Sequence, residues 1–530
     1  MEAGMSFIAN RREQMRPVAH SLTEVAMAGE AASNPEALPK STSDRVKASS
    51  SRPSEHRPPV LQRSRFAHLF HKDGDRCIFH ALTMRMIYGG PLLDHVFEEF
   101  AKATPVEETI ARLSANHSFP IVNQVIADLL RNGLLIQGPE EDAGVYRRLY
   151  RKGLNMARIQ HMYILPTSAC NFRCKYCFVE DDQRHLKPDF MDTATAETAV
   201  KVFAKLSRGF PQPSVTFYGG EPLLNPKTTF FALRLLRQLE AEGKFTRGIR
   251  ISLLTNGSLV NAEAVRVFQE TRPTIAVSLD GPRLLHDAAR VDEQDHGTFD
   301  AALAGYRRLQ DAGLKPGISC TLNGFTIDHI DELVDFIIKD LRPNGMGFNL
   351  LLPQIDGKTP CPEYDPGFAA QQLIRAFKRL REAGIYEDRM MRRVRPFLDR
   401  RAHLKDCMGV GGQLVVTPSG RVGPCQAFLG VDDDKYFPID IRQLAARGDR
   451  LSSAAIYEEP LFDEWCHRFP LNMRQCADCF TISVCGGGCP YAAKVTDGSI
   501  WEIDKRVCYQ AKNILEWMIW DTCEHMKGEL

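Results

Sequence analysis

Residues 160 to 352 alternate between two hydrophobic rhythms. Six short apolar runs, "HMYILPTS", "SVTFYGG", "IRISLLTNG", "PTIAVSLDG", "PGISCTLNG" and "GMGFNLLL", have the length of buried strands, and several end in glycine. Between them lie stretches with helical spacing of apolar positions, such as "TATAETAVKVFAKLSRG" and "TIDHIDELVDFIIKDL". Six strand-plus-helix units in series predict a parallel sheet, because parallel strands need long crossovers. Six units suffice for a partial (β/α)6 barrel of the α/β class, with its chemistry at the carboxyl ends of the strands.

The flanks follow other patterns. Residues 1–60 contain "AASNPEALPKSTSDRVKASSSRPSEHRPP", a tract with too little apolar surface to offset its chain entropy, which predicts a disordered tail. Over 63–155, "RCIFHALTMRMIYGG" has strand-like content. "LLDHVFEEFAKA", "PVEETIARLSA" and "FPIVNQVIADLLRNGLLI" carry helical spacing. Two strands and three helices of this size predict a winged-helix-like domain, with a plain packing unit as the alternative. Residues 353–399 read as a Pro- and Gly-rich linker followed by helical "FAAQQLIRAFKRLREAG". From 400 to 530, cysteines and glycines cluster.

Composition narrows the classes. At 530 residues the chain exceeds one ordinary core, and its 44% hydrophobic and 25% charged content suits a globular protein. A net charge of +1 gives no case for general nucleic-acid or anionic-membrane binding. No stretch approaches a membrane span, and "MEAGMSFIANRREQ" lacks an apolar signal core, so a cytoplasmic location is expected. Fifteen cysteines in a reducing compartment point to metal or cluster ligation rather than disulfides.

The first array is "CNFRCKYCFVEDD", residues 170–182, with Cys170, Cys174 and Cys177 in C-x3-C-x2-C spacing directly after the first strand. Three thiolates are one short of the four protein ligands usual in a structural zinc site. They suit an iron–sulfur cubane that keeps one iron without a protein ligand; half of a zinc site completed from elsewhere is the competing reading. The other strand ends carry polar or glycine clusters: "YGGEP" (Tyr218 to Pro222), "TNG" (Thr255 to Gly257) and "SLDGP" (Ser278 to Pro282). The glycines permit close backbone approach, and Glu221 adds an acceptor.

On these motifs residues 160–352 resemble the radical S-adenosylmethionine (radical SAM) enzymes. The resemblance implies a [4Fe-4S] cluster on Cys170, Cys174 and Cys177 whose open iron takes the amine and carboxylate of SAM. It implies amine contacts from Gly219, Gly220 and Glu221 and a backbone contact to adenine near Tyr176. Asn256, in the TNG cluster, would join the cofactor site, and Ser278 and Asp280 would meet the ribose or methionine portion. Arg290 offers a fork suited to the SAM carboxylate, a surface arginine being the alternative. The implied reaction is reductive cleavage of SAM, then hydrogen abstraction from an unreactive C–H.

The second array runs Cys407, Cys425, then Cys476, Cys479, Cys485 and Cys489 in "CADCFTISVCGGGC", and Cys508. It resembles the SPASM domain of peptide and protein maturases, which implies two auxiliary iron–sulfur clusters. Cys476, Cys479, Cys485 and Cys508 would hold the distal one. Cys407, Cys425 and Cys489 would hold the nearer one, leaving either an open iron able to bind a substrate thiolate or completion by Cys466 or Asp432. Zinc ribbons share the C-x2-C spacing. Sulfatase maturases resemble this arrangement but place a basic Asp after the second cysteine; Gln426 stands here, and a neutral amide cannot serve as base. Cys77, Cys320 and Cys523 read as small buried hydrophobes.

Together these point to a maturase that crosslinks or otherwise modifies a ribosomally made peptide or small protein. Such enzymes often pair a leader peptide with a winged-helix strand edge, here "ALTMRMIYGG". A flavodoxin- or ferredoxin-type reductant is implied as partner, with no nucleic acid and no membrane. Oxidation of an alcohol, or a non-catalytic metal-stabilised protein, are the alternatives.

Overall fold

A computed structural model describes residues 59–178, 189–355 and 361–528. The amino-terminal part has strands β1 (Val60–Arg63), β2 (Ala67–Lys72), β3 (Asp75–His80), β4 (Met86–Gly89), β5 (Thr104–Pro105) and β6 (Leu135–Ile136). Helices Pro91–Glu99, Val106–Leu113, Phe119–Arg131 and Pro139–Leu154 accompany them. Two antiparallel sheets result, ordered β2-β3-β4 and β5-β1-β6. The pattern of two strands and three helices therefore falls short. Strands β5 and β6 are two residues long, too short for a hydrophobic period to register. The expected tail lies outside the described residues up to 58, and Val60 already opens β1.

Alternation along β3 divides this sheet between two cores. Ile78 faces Leu93, Val96, Phe97, Val122 and Ile126, while Cys77 and Phe79 face the main core of the molecule. The amino-terminal part is docked rather than tethered. Tyr88 Oη donates to the Ile519 carbonyl at 2.6 Å, and Ser483 Oγ donates to the Leu82 carbonyl at 3.2 Å.

The six expected strands form as β7 (His161–Ile164), β8 (Ser214–Phe217), β9 (Arg250–Thr255), β10 (Thr274–Ser278), β11 (Gly317–Leu322) and β12 (Met346–Leu350). They pair in parallel and in chain order. Strands β12 and β7 are not neighbours, so this partial barrel is open on one side. Side-chain caps start its helices: Asp192 accepts from Thr195 N at 2.6 Å and Asn261 from Ala264 N at 2.9 Å.

The sheet does not stop at the barrel. Strand β13 (Gln413–Val416) pairs in parallel with β7, and β14 (Arg421–Gly423) and β15 (Ile439–Asp440) continue antiparallel, giving nine strands. The cysteine-rich region is thereby welded to the first barrel strand. The helical stretch after the linker forms as Pro366–Glu382, whose Ala369, Leu373, Phe377 and Leu380 are buried, and it packs against the carboxyl-terminal helix Lys505–Gly528. Among the described residues no helix is long and apolar enough to cross a membrane.

Candidate active site

None of the fifteen cysteines is in a disulfide. Cys170, Cys174 and Cys177 lie on the loop leaving β7, pinned from both sides. Lys175 N donates to the Ala289 carbonyl at 2.8 Å, and Arg173 N to the Val291 carbonyl at 2.6 Å. Donors aim at the sulfurs: Phe172 N is 3.5 Å and Asn256 Nδ2 3.8 Å from Cys170 Sγ, and Arg290 Nη1 is 4.0 Å from Cys174 Sγ. Burial raises the Cys170 thiol far above its ordinary value, with Glu221 adding to it. A cation or cluster that accepts thiolates relieves that cost, so the donor set fits an iron–sulfur group.

The glycine pair has a local reason. Gly220 approaches the cysteine loop so closely that a Cβ would stand 1.9 Å from the Ala169 carbonyl oxygen. Gly219, at φ +118°, would place one 2.7 Å from the Thr167 carbonyl. Gly220 N donates to Thr167 O at 3.0 Å and Glu221 N to Ala169 O at 2.8 Å. The space these glycines open is filled by the cysteine loop itself. Glu221, 1% exposed, spends its carboxylate on Leu223 N (3.0 Å), Thr255 Oγ1 (2.8 Å) and Asn256 N (2.7 Å). It joins the second strand end to the third.

Asp280 and Arg290 engage each other in this structure. Asp280 is fully buried, and both its oxygens are taken. Oδ2 accepts from Tyr176 Oη (2.5 Å) and Arg290 Nε (2.8 Å); Oδ1 accepts from Arg290 Nη2 (3.1 Å) and Thr321 N (2.8 Å). No lone pair is left for a ribose, and the two-point face of Arg290 is occupied by Asp280 rather than open to a ligand carboxylate. Nor is Arg290 a surface residue, being 7% exposed and stacked over the Tyr176 ring at 5.3 Å. Ser278 ends β10, half-buried, in register with Ser319.

The second array occupies two places in the fold. Cys425 is buried, and after desolvation its thiol is raised most by Cys489 and Cys407, so these three share one location. Cys466 turns away, toward the Asp463 carbonyl (3.1 Å) and His467 Nδ1 (3.5 Å), and Asp432 caps the Asp433–Tyr436 helix at Lys435 N. Cys476, Cys479, Cys485 and Cys508 line one small cavity. Gly486, Gly487 and Gly488 follow with φ of +73°, +88° and +70°, and a Cβ at Gly486 would lie 2.5 Å from Asp406 N. Gln426 Oε1 accepts from Gln413 Nε2 at 3.3 Å. Cys77 and Cys320 are fully buried and Cys523 is 5% exposed, as small hydrophobes would be.

The two arrays meet across one apolar cluster. It contains Cys177 from the first and Cys425 and Cys489 from the second, with Tyr163, Tyr218 and Tyr491 between them. Tyr163 and Tyr218 stack edge-on at 5.9 Å, and Phe428 and Tyr491 at 4.9 Å.

Two residues here carried no signal in the sequence. Arg468, fully buried, donates to the carbonyls of Gly487 (2.8 Å), Gly488 (3.3 Å), Glu502 (3.0 Å) and Ile500. Asp504 accepts from Cys489 N at 3.1 Å and pairs with Arg506 at 2.9 Å. A charged residue in a polar loop reads as solvated, so only its partners reveal it.

Residues 164–337 match the model of the Radical SAM superfamily. The radical SAM cyclopropyl synthase TigE of Paramaledivibacter caminithermalis is 23% identical over 425 residues, which cover 75% of this chain and 83% of TigE. A cysteine-type anaerobic sulfatase-maturating enzyme of Clostridium novyi is 30% identical over 186 residues, spanning 34% of this chain and 48% of that relative. Among solved structures, native anSMEcpe with bound AdoMet and Cp18Cys peptide shares the fold. It has a TM-score of 0.57 at 20% identity, over 70% of this chain and 99% of that one. With its thiol triad at the carboxyl end of the first of six parallel strands, the chain belongs to the radical SAM superfamily, enzymes that work with a [4Fe-4S] cluster and S-adenosylmethionine.

Proposed function

We propose that this enzyme is a maturase that modifies a ribosomally made peptide or small protein, installing a thioether, carbon–carbon or related C–H-derived bond. The observation that carries the reading is the shared aromatic cluster joining Cys177 to Cys425 and Cys489. A substrate side chain seated there touches both cysteine sites at once.

Cys170, Cys174 and Cys177 would hold the SAM-binding cluster, which supplies one-electron cleavage of SAM and a primary-carbon radical. The chain's own residues do the positioning. Glu221 locks the second and third strand ends together beneath the triad. The Asp280–Arg290–Tyr176 knot fixes the cysteine loop to the fourth and fifth strand ends. Tyr163, Tyr218 and Tyr491 exclude water from the reacting region. Cys407, Cys425 and Cys489 would hold a nearer auxiliary cluster with three cysteines, and Cys476, Cys479, Cys485 and Cys508 a distal one with four. The nearer set suits capture of a substrate thiolate.

Peptide recognition would fall to the amino-terminal sheet. Strand β4 is an edge of β2-β3-β4, and its outer side makes no strand pairing among the described residues. The anSMEcpe structure holding a peptide is consistent with peptide chemistry on this fold. Sulfatase-type oxidation is the less favoured reading, because Gln426 is an amide tied to Gln413 and offers no base.

The test is anaerobic reconstitution with a strong reductant, SAM and short peptides encoded beside the gene. Expected are about twelve iron atoms per chain, release of 5'-deoxyadenosine, and a loss of two hydrogens in the peptide mass. Peptides returned unchanged while SAM is cleaved would reject the maturase reading.

A further inference from the structure

A concavity lies away from both cysteine arrays, where the amino-terminal part, the Pro139–Leu154 helix and residues 400–402 meet. It encloses about 450 Å³, in the range of specific ligand sites. Its floor is apolar, from Leu82, Leu149 and Ala402. Its walls carry Arg85, Arg148, Lys152, Arg400 and Arg401, and none of its lining residues is acidic.

That arrangement is out of keeping with the rest of the chain, where 67 basic and 66 acidic residues nearly balance. Cations on this fold generally find carboxylates: Arg147, next to Arg148, pairs with Glu140 at 3.7 Å. Among the described residues the five groove cations make no ion pair, and the Arg85 guanidinium donates to the Arg131 carbonyl at 3.1 Å. Arg400 sits in left-handed backbone at φ 49°, a conformation that disfavours any side chain but is tolerated here. Burial and the adjacent Arg85 both push its guanidinium below the ordinary value. An anion between these groups removes that repulsion.

The lining also discriminates among anions. It contains no Phe, Tyr or Trp on which a base could stack, which argues against single-stranded nucleic acid. A concave site with an apolar floor suits an extended segment carrying acidic and apolar side chains better than the convex face of a folded acidic protein. Arg85 immediately precedes β4, and its carbonyl accepts from His80 N at 2.8 Å. A strand added to the β4 edge therefore runs off that edge into the groove.

We infer that the groove seats an acidic, partly apolar segment of the substrate peptide, adjoining the part that pairs with β4. This rests on the peptide-maturase reading. Ser483 ties the groove lining at Leu82 to the residue that follows Ala402: it donates to the Leu82 carbonyl at 3.2 Å and accepts at its own carbonyl from His403 N at 2.8 Å. Ser483 is fully buried and stands two residues before Cys485. An occupied groove thus bears on the loop of the distal array.

The test is fluorescence anisotropy on the full reconstituted chain with a labelled peptide alternating Glu and Leu, and its Gln and Leu counterpart. Expected are at least about tenfold tighter binding of the Glu peptide and weakening with added salt. A loss of about tenfold or more is expected in Arg148→Gln/Arg401→Gln, with Arg148→Lys/Arg401→Lys within about threefold of the parent. Circular dichroism melting verifies that the variants fold. Equal binding of the two peptides, or no loss in the Gln variant, overturns the inference. So does tighter binding of a single-stranded oligonucleotide or of a flavodoxin that the same substitutions abolish. Peptide turnover read separately distinguishes the failures. Turnover without Glu-peptide binding rejects the groove alone, and binding without turnover of any peptide rejects the maturase reading alone.

Discussion

Asp280 and Arg290 form a buried two-point ion pair, with Nε 2.8 Å from Oδ2 and Nη2 3.1 Å from Oδ1. Tyr176 and Thr321 complete the carboxylate's shell, so the aspartate binds the cysteine loop to two strand ends at once. Removing one partner leaves an uncompensated charge out of water. Asp280→Asn and Arg290→Gln should each destabilise the fold by about 3–5 kcal/mol, read from anaerobic denaturant unfolding. Tyr176→Phe, which removes one donor, should cost only about 1–2 kcal/mol. A loss under about 1 kcal/mol in Asp280→Asn would show that the pair is solvated and the positioning role wrong.

How much of this was visible in the chain depends on range. The six barrel strands were legible because each carries its own apolar run, and several a glycine stop. The triad was legible because its ligands lie within eight residues. Contacts between distant segments were not. Nothing in "QLVV" indicates that Gln413 will register with His161 and extend the sheet. Asp280 sits in a polar "SLDGP" loop that equally suits a ligand contact, and only the buried Arg290 fork shows that its oxygens are spent. Arg148 and Arg401 look like ordinary surface charge until the fold brings them together.

Gly220 tests the seating of the cysteine loop. Its Cβ in Gly220→Ala would overlap the Ala169 carbonyl at 1.9 Å, and backbone cannot yield as a side-chain tip can. Iron at the triad and 5'-deoxyadenosine release should both fall by about tenfold or more, a barrier or binding change of about 1.4 kcal/mol upward. Gly209→Ala is the control: φ is +84° there, but nothing lies within 4 Å, so about 1 kcal/mol of stability and no activity should be lost. Full iron and undiminished 5'-deoxyadenosine release in Gly220→Ala would mean that the loop can move aside and that the close approach does not seat it.

Arg468 should govern the distal array alone. In Arg468→Met the carbonyls of Gly487, Gly488, Ile500 and Glu502 lose a buried donor, at about 1–3 kcal/mol for each group left unsatisfied. The glycine loop between Cys485 and Cys489 then relaxes. Iron should drop by about four atoms per chain while the triad's cluster signal persists in electron paramagnetic resonance. Full iron occupancy in this variant would mean that the loop holds its shape without the guanidinium.

Acid should unfold the amino-terminal sheet through His80. Its ring is 2% exposed, and Nδ1 lies 3.2 Å from Leu82 N, whose hydrogen it accepts; burial lowers its pKa from 6.5 to about 4. The folded state therefore binds fewer protons than the unfolded chain between those values. The contribution is fully present above pH 6.5 and is lost as pH falls toward 4, a span worth roughly 3 kcal/mol. His161 behaves alike, lowered to about 4 by burial. His80→Gln keeps an acceptor near Leu82 N but cannot be protonated. Its stability should fall less than the parent's between pH 6.5 and 4, measured by urea unfolding at each pH. Parallel curves for parent and variant would mean that His80 is hydrated or charged in the folded protein, contrary to its burial.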